Sequence, residues 1–153
     1  MESSLTRIKS FRLSTSAREL AVLGICLISM FLFLFSAYEK LLDHQRFYHG
    51  LSRVSIIGSK AEIISYAVPL LEVSISILLI IPKTQRKGLY GFVALMGIFT
   101  VYIFGMWLWA PDLPCHCNLI VEKLSWGQHI WFNLVFLGLA ILGLLLNKPN
   151  IKS

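Results

Sequence analysis

The sequence predicts an all-α membrane protein, built as a four-transmembrane-helix bundle with a short amphipathic outer segment between the first and second spans. Hydrophobic residues make up 56% of the 153 residues and charged residues only 14%, which is too little polar surface to cover a water-soluble core. Four apolar segments are each long enough to cross a bilayer core of roughly 30 Å. They leave no stretch for a separate soluble domain, so residues 1–153 are expected to form a single integral membrane domain.

Helix-start and helix-stop signals bound these spans. Ser-x-x-Glu or Ser-x-x-Gln capping boxes, in which side chains satisfy first-turn amides, begin at Ser16, Ser59 and Ser125. Prolines, which cannot continue a hydrogen-bonded helix, follow the last three spans at Pro82, Pro111 and Pro149. The predicted spans are therefore about 20–38, 60–81, 88–109 and 126–146.

The segment between the first two spans, Glu39 to Gly58, is too polar to cross a membrane. Its apolar residues recur at intervals of three or four, at Leu41, Phe47, Tyr48, Leu51 and Val54. This spacing predicts a short amphipathic helix that lies in the interface or caps the bundle. A loop whose few apolar side chains dip into lipid is the alternative.

The net charge of +6 is explained by the membrane rather than by a nucleic-acid partner, because the basic residues lie beside the apolar segments and meet lipid there. Nine Lys and Arg residues lie in the two tails and the loop between the second and third spans, against five on the other side. This bias predicts that both termini are cytoplasmic. The tryptophans form an aromatic belt at the opposite, outer face: Trp107, Trp109, Trp126 and Trp131.

Two cysteines separated by one residue, in Cys115-His116-Cys117, precede the fourth span on the predicted outer side. A disulfide between them closes a small, strained ring in an oxidising compartment, which favours an exchangeable bond over a structural one. The alternatives are thiols with no redox role and a metal site. Zinc sites normally use wider Cys spacing and a fourth ligand, so no metal is predicted.

Glu72 lies midway along the second span, where an ionised carboxylate is costly unless it is paired, hydrated or protonated. Tyr66 and Pro69 precede it at intervals of three, which predicts one shared face turned toward the bundle. Glu72 is thus either a functional group or a structural tie to another helix, through a partner such as Tyr102 or Asn133.

His129 and Asn133 are four residues apart and project from one side of the fourth span near its outer end. They are candidates to hydrogen-bond a quinone carbonyl or a substrate, and otherwise serve as helix contacts. Cys26, surrounded by apolar residues of the first span, is expected to be a small packing residue.

Several of these features together resemble the MauE/DoxX family of bacterial redox-associated membrane proteins. They are the four spans, the Phe35-Ser36-Ala37-Tyr38-Glu39-Lys40-Leu41 segment, Pro69-x-x-Glu72, Cys115-x-Cys117 and the following Glu122-Lys123-Leu124-Ser125-Trp126-Gly127-Gln128. The likeness covers nearly the whole chain and is strongest to the MauE branch. It adds Glu39 to the ligand or proton-linked candidates, which are Glu72, Tyr66, His129 and Asn133.

The resemblance implies a multi-pass protein of the bacterial inner (cytoplasmic) membrane that supports maturation of disulfide-containing proteins, beside a thioredoxin-like periplasmic partner. Cys115 and Cys117 would then be the catalytic pair of a thiol-disulfide oxidoreductase component. The DoxX branch implies quinone as a candidate cofactor and a redox complex as the partner. A non-catalytic anchor or assembly subunit is the main alternative. A small proton-linked transporter is a weaker one, because Glu72 is the only acid that lies away from the ends of the spans.

Overall fold

A computed structural model describes residues 15–55, 57–109 and 126–147 of the protein. Over these ranges the chain is all-helical, with no strand. The helices are α1 (Thr15–Leu42), α2 (His44–Ser52), α3 (Ala61–Ile80), α4 (Gln85–Trp109) and α5 (Trp126–Leu146). The long helices α1, α3, α4 and α5 are apolar enough to cross a membrane, which confirms the predicted fold class.

The predicted amphipathic segment between the first two spans is a helix rather than a loop. After α1 ends at Leu42, the Asp43 side chain accepts a hydrogen bond from the backbone N–H of Arg46 and so caps the start of α2. Leu51 of α2 is buried, whereas the polar side of the helix is exposed. Helix α2 therefore lies across one end of the bundle, where it packs on α1 and α3.

The predicted capping boxes are wrong at the first two spans. Ser16 lies inside α1, which already includes Thr15. Ser59 lies within a short 3-10 turn, Gly58–Lys60, and α3 begins only after it, with no side-chain hydrogen bond at its cap. The turn tightens the backbone just ahead of α3, so the Ser59 hydroxyl is not in the capping position. Ser125 lies outside the described residues.

The four long helices form a ring in the order α1, α3, α4, α5, in which α1 also packs on α5. The end of the bundle that carries the start of α1 and the end of α5 is here called the terminal end. There the guanidinium of Arg18 donates a hydrogen bond to the carbonyl oxygen of Leu146. This contact joins the two helices and satisfies a carbonyl that the end of α5 leaves without a helical partner.

Close packing fills the half of the bundle nearest the terminal end. A Cβ atom added to Gly88 of α4 would lie 2.9 Å from the backbone nitrogen of Leu79 in α3. Such contacts show why a glycine is required there, since only a missing side chain lets the two backbones approach so closely. The opposite half, at the end covered by α2, is instead hollow.

Candidate functional site

The hollow half of the bundle contains a cavity of about 620 Å³. Side chains from α1, α2, α3, α4 and α5 line it, and most of them are apolar. The volume is within the range of roughly 300–1,000 Å³ that is usual for sites of small organic ligands. Polar groups on its wall come from Ser36, Lys40, Glu72, Tyr102, His129 and Asn133.

A buried ion pair stands at the centre of this polar group. The Nζ atom of Lys40 lies 2.8 Å from Oε1 of Glu72, and the two side chains are 5% and 0% exposed. The hydroxyl of Ser36 donates to the same Oε1 over 2.9 Å, and Lys40 also donates to the Ser36 oxygen. The pairing explains how a carboxylate is accommodated at this depth, since a buried charge is stable only with a partner.

The geometry of α1 delivers the ammonium group to this position. Ser36 and Lys40 are one turn apart and continue a buried face of α1 that includes Ser29 and Phe33. Side chains on a helix lean toward its N-terminus, so the long Lys40 chain reaches back into the bundle rather than out toward the helix end. Its Nζ lies 5.3 Å from the ring centre of Phe99, a distance that allows a cation–π contact.

The second carboxylate oxygen of Glu72, Oε2, is buried and has no hydrogen-bond partner among the described residues. A buried polar atom in this state costs roughly 1–3 kcal/mol relative to a satisfied one. The Lys40 ammonium has three hydrogens, and two of them serve Glu72 and Ser36. The ion pair thus leaves one carboxylate oxygen of Glu72 and one ammonium hydrogen of Lys40 without a hydrogen bond to a described residue, beside the cavity that both residues line.

Three of the candidate site residues predicted from the sequence line this one cavity: Glu72, His129 and Asn133. The last two are 5% and 4% exposed, respectively. Glu72 does not form the expected hydrogen bond to Tyr102 or Asn133. The carboxylate is bonded by Ser36 and Lys40 of α1 instead.

Tyr66 does not share the buried face of Glu72, contrary to the expectation from sequence. It is 58% exposed, because three-residue steps drift around a helix and six residues leave two side chains about 120° apart. The Tyr66 ring stacks on His44 of α2 at 4.2 Å, and His44 is also hydrogen-bonded to Ser65 over 2.9 Å. Both contacts hold α2 against α3. Glu39 is half-buried and is not among the residues that line the cavity.

Of the three cysteines in the chain, only Cys26 lies among the residues that the structure describes. Cys26 is 1% exposed within the apolar core, as expected of a packing residue. Cys115 and Cys117 lie outside the described residues. Within the described ranges, no three His, Cys, Asp or Glu side chains are grouped as a metal ion would require.

Sequence reasoning missed Lys40 and Ser36 as members of the site. Lys40 follows the predicted first span, which places it in a loop, yet α1 continues beyond it to Leu42. The usable signal was the spacing of Ser29, Ser36 and Lys40, which places all three on one face of an otherwise apolar helix.

The fold and the site define a multi-pass, all-helical membrane protein with a largely apolar cavity and a buried ion pair. Residues 18–146 match the family model described as methylamine utilisation protein MauE. Because this match covers most of the chain, the protein belongs to the MauE family. The match names MauE and not DoxX. No curated protein and no solved structure matches the chain.

Proposed function

We propose that this MauE-family protein performs thiol-disulfide exchange through Cys115 and Cys117 on the extracytoplasmic side of the inner membrane. In doing so it supports the maturation of disulfide-containing proteins, with a thioredoxin-like periplasmic protein as its partner. The observation that carries the proposal is a Cys-x-Cys pair, located in sequence between α4 and α5 of a membrane protein from a family associated with methylamine utilisation.

The exchange proceeds through a mixed disulfide. A thiolate of the reduced partner attacks one sulfur of the Cys115–Cys117 bond, and the other cysteine leaves as a thiolate. The second thiolate of the partner then resolves the mixed disulfide. The partner ends as a disulfide and this protein as a dithiol, so two electrons pass to this protein. The small ring formed by neighbouring cysteines favours that direction, because strain makes a disulfide easier to reduce.

The proposed orientation puts both termini in the cytoplasm. It is supported by the larger number of basic residues in the tails and in the loop between α3 and α4. Lys40 was one of the five basic residues on the opposing side, and its pairing with Glu72 removes it from the accessible charges there.

The test is to trap the mixed disulfide in vivo. A Cys117→Ser variant keeps one thiol, Cys115, whose thiolate attacks the disulfide of the oxidised partner in the reverse of the exchange and cannot then be released by Cys117. A reductant-sensitive adduct with a periplasmic thioredoxin-like protein is therefore expected. Cys26→Ser is the matched control. Because Cys26 is buried in the core, its replacement should leave the exchange unchanged. If neither Cys117→Ser nor Cys115→Ser yields an adduct, and the double Cys115→Ser/Cys117→Ser variant still supports maturation, the protein is a non-catalytic assembly subunit instead.

A further inference from the structure

We propose that the cavity between the long helices binds the head group of a membrane quinone or quinol. In the quinol form, a ring hydroxyl donates to the Glu72 carboxylate. In the quinone form, a ring carbonyl accepts the remaining hydrogen of the Lys40 ammonium. His129 and Asn133 lie on the same cavity wall, and the Asn133 amide can donate or accept a hydrogen bond at the head group.

The cavity is open to a lipid-soluble ligand. Four of its apolar lining residues are each more than half exposed: Ile28 and Phe31 of α1 and Ile98 and Val101 of α4. In a membrane-spanning bundle this apolar surface meets lipid. A ligand dissolved in the bilayer therefore reaches the cavity without first crossing into water.

The polar groups select the class of ligand. A molecule bound at the ion pair must satisfy the buried Oε2 of Glu72 and the third hydrogen of Lys40. The Glu72 side chain is 0% exposed, so the ligand reaches the carboxylate only when its terminal torsion, which has no steep preference, turns an oxygen toward the cavity. A fatty acid or an anionic phospholipid satisfies Lys40 but brings negative charge against Glu72. A quinol is neutral, and its oxygens donate as hydroxyls and accept as carbonyls.

The aromatic and apolar lining fits the rest of such a molecule. Phe99, Phe132 and Phe136 line the cavity and offer ring faces to a flat head group. The mainly aliphatic remainder of the wall suits an isoprenoid chain. Because only the head group meets the ion pair, we expect short-chain and long-chain quinones to share the same polar contacts.

The redox consequence of this site rests on the proposed function, whereas binding itself does not. If the exchange leaves Cys115 and Cys117 as a dithiol, their return to the disulfide releases two electrons and two protons. A quinone that takes up both becomes a quinol, so atoms and electrons balance. The site would then supply the electron acceptor of the cysteine pair.

The test is calorimetric titration of the purified full chain in lipid-free detergent with short-chain ubiquinone and menaquinone analogues. Saturable binding of at least one of them is expected. Asn133→Leu keeps the ion pair intact, and Glu72→Gln removes the charged acceptor. Asn133→Leu should weaken binding about tenfold, the effect of losing one good hydrogen bond. Glu72→Gln replaces the charged acceptor by a weaker neutral one, so it should weaken binding of the chemically reduced quinol form of the analogue and leave binding of the quinone form largely unchanged. Ser74→Ala and Glu62→Gln alter exposed residues of α3 and should bind as the wild type does.

Each other outcome of the titration contradicts the proposal. Binding that is absent, or equal in all variants, leaves no specific site. Displacement of the quinone by oleate or phosphatidylglycerol at equal concentration makes the cavity a lipid site. The Cys115→Ser/Cys117→Ser variant separates the two proposals, because it should bind quinone normally but fail to reduce it. Quinone binding without any thiol exchange in the wild type overturns the proposed function alone, and exchange without binding overturns this inference alone.

Discussion

Lys40 and Glu72, which are 32 residues apart in sequence, form a buried ion pair at 2.8 Å that joins α1 to α3. The pair, together with Ser36, occupies the wall of a cavity that is otherwise largely apolar. A buried ion pair is seldom the most stable solution for a bundle, because desolvation offsets much of the attraction. Its presence at the cavity wall therefore favours a role in ligand binding over a role in stability.

Removing one partner of this pair should destabilise the protein strongly. Lys40→Met or Glu72→Leu leaves a buried charge without its partner, which typically costs about 3–5 kcal/mol. Glu72→Gln should be milder, because its amide oxygen still accepts hydrogen bonds from α1. Thermal unfolding of the detergent-solubilised protein measures these differences.

The double variant Lys40→Met/Glu72→Leu gives the internal check. It removes both charges together, so it should recover most of the stability that either single change loses. Glu62→Gln changes an exposed carboxylate on the same helix and should cost less than about 1 kcal/mol. A double variant no more stable than the single ones would mean that the two side chains act independently.

Gly88 should tolerate no larger residue. The Cβ of Gly88→Ala meets the backbone of α3 rather than a flexible side chain, so the two helices must separate. Overpacking of this kind typically costs about 1–3 kcal/mol. Gly97→Ala on the same helix is the control, since nothing lies within 4 Å of its added Cβ. Equal unfolding temperatures for the two variants would contradict the close packing of α3 and α4.

The Tyr66 ring should matter for the docking of α2. Tyr66→Ala removes the stacking on His44, a contact worth about 0.5–1.5 kcal/mol, and should free α2 to leave the bundle more often. Trypsin cleavage after Arg46 or Arg53 should then accelerate in detergent. Ile63→Ala truncates another exposed side chain of α3 and should leave the cleavage rate unchanged. An unchanged rate in Tyr66→Ala as well would show that the stack does not hold α2.

The fold was predictable because it depends on quantities that a sequence carries directly. Apolar length identifies membrane-spanning helices, and proline stops them, so α5 spans the predicted residues 126–146. The start of α3 was less predictable. The Ser59 box has the right spacing, but a 3-10 turn forms there instead, and local spacing does not encode that choice.

The site was only half predictable, because it depends on which helices become neighbours. The lone acid Glu72 midway along a membrane span predicts a polar or basic partner. Which residue is that partner depends on the packing of α1 on α3, which brings Lys40 to Glu72. Lys40 lies beyond the apolar run, so hydropathy alone assigns it to a loop. The three-residue spacing of Tyr66, Pro69 and Glu72 does not define one face, because two such steps turn the Tyr66 ring away from Glu72 and leave it exposed.

The orientation of the bundle can be tested with two single cysteines in a Cys115→Ser/Cys117→Ser background. Ser59→Cys and Lys83→Cys alter exposed residues in the connections at opposite ends of α3, whereas native Cys26 is buried and should stay silent. With cytoplasmic termini, a membrane-impermeant maleimide added to intact spheroplasts should label Ser59→Cys only. Labelling of Lys83→Cys alone would reverse the orientation and move the cysteine pair into the cytoplasm.

The most direct test of the proposed exchange is the redox state of Cys115 and Cys117 in fresh membranes. It is measured by mass spectrometry after acid quenching and alkylation without reductant. We expect the two cysteines to be joined, and mild reductant to open the bond before the buried Cys26 becomes reactive, because Cys26 reports unfolding. If both thiols are instead fully alkylated from the start, and a double serine variant still supports maturation of the partner, the exchange does not occur.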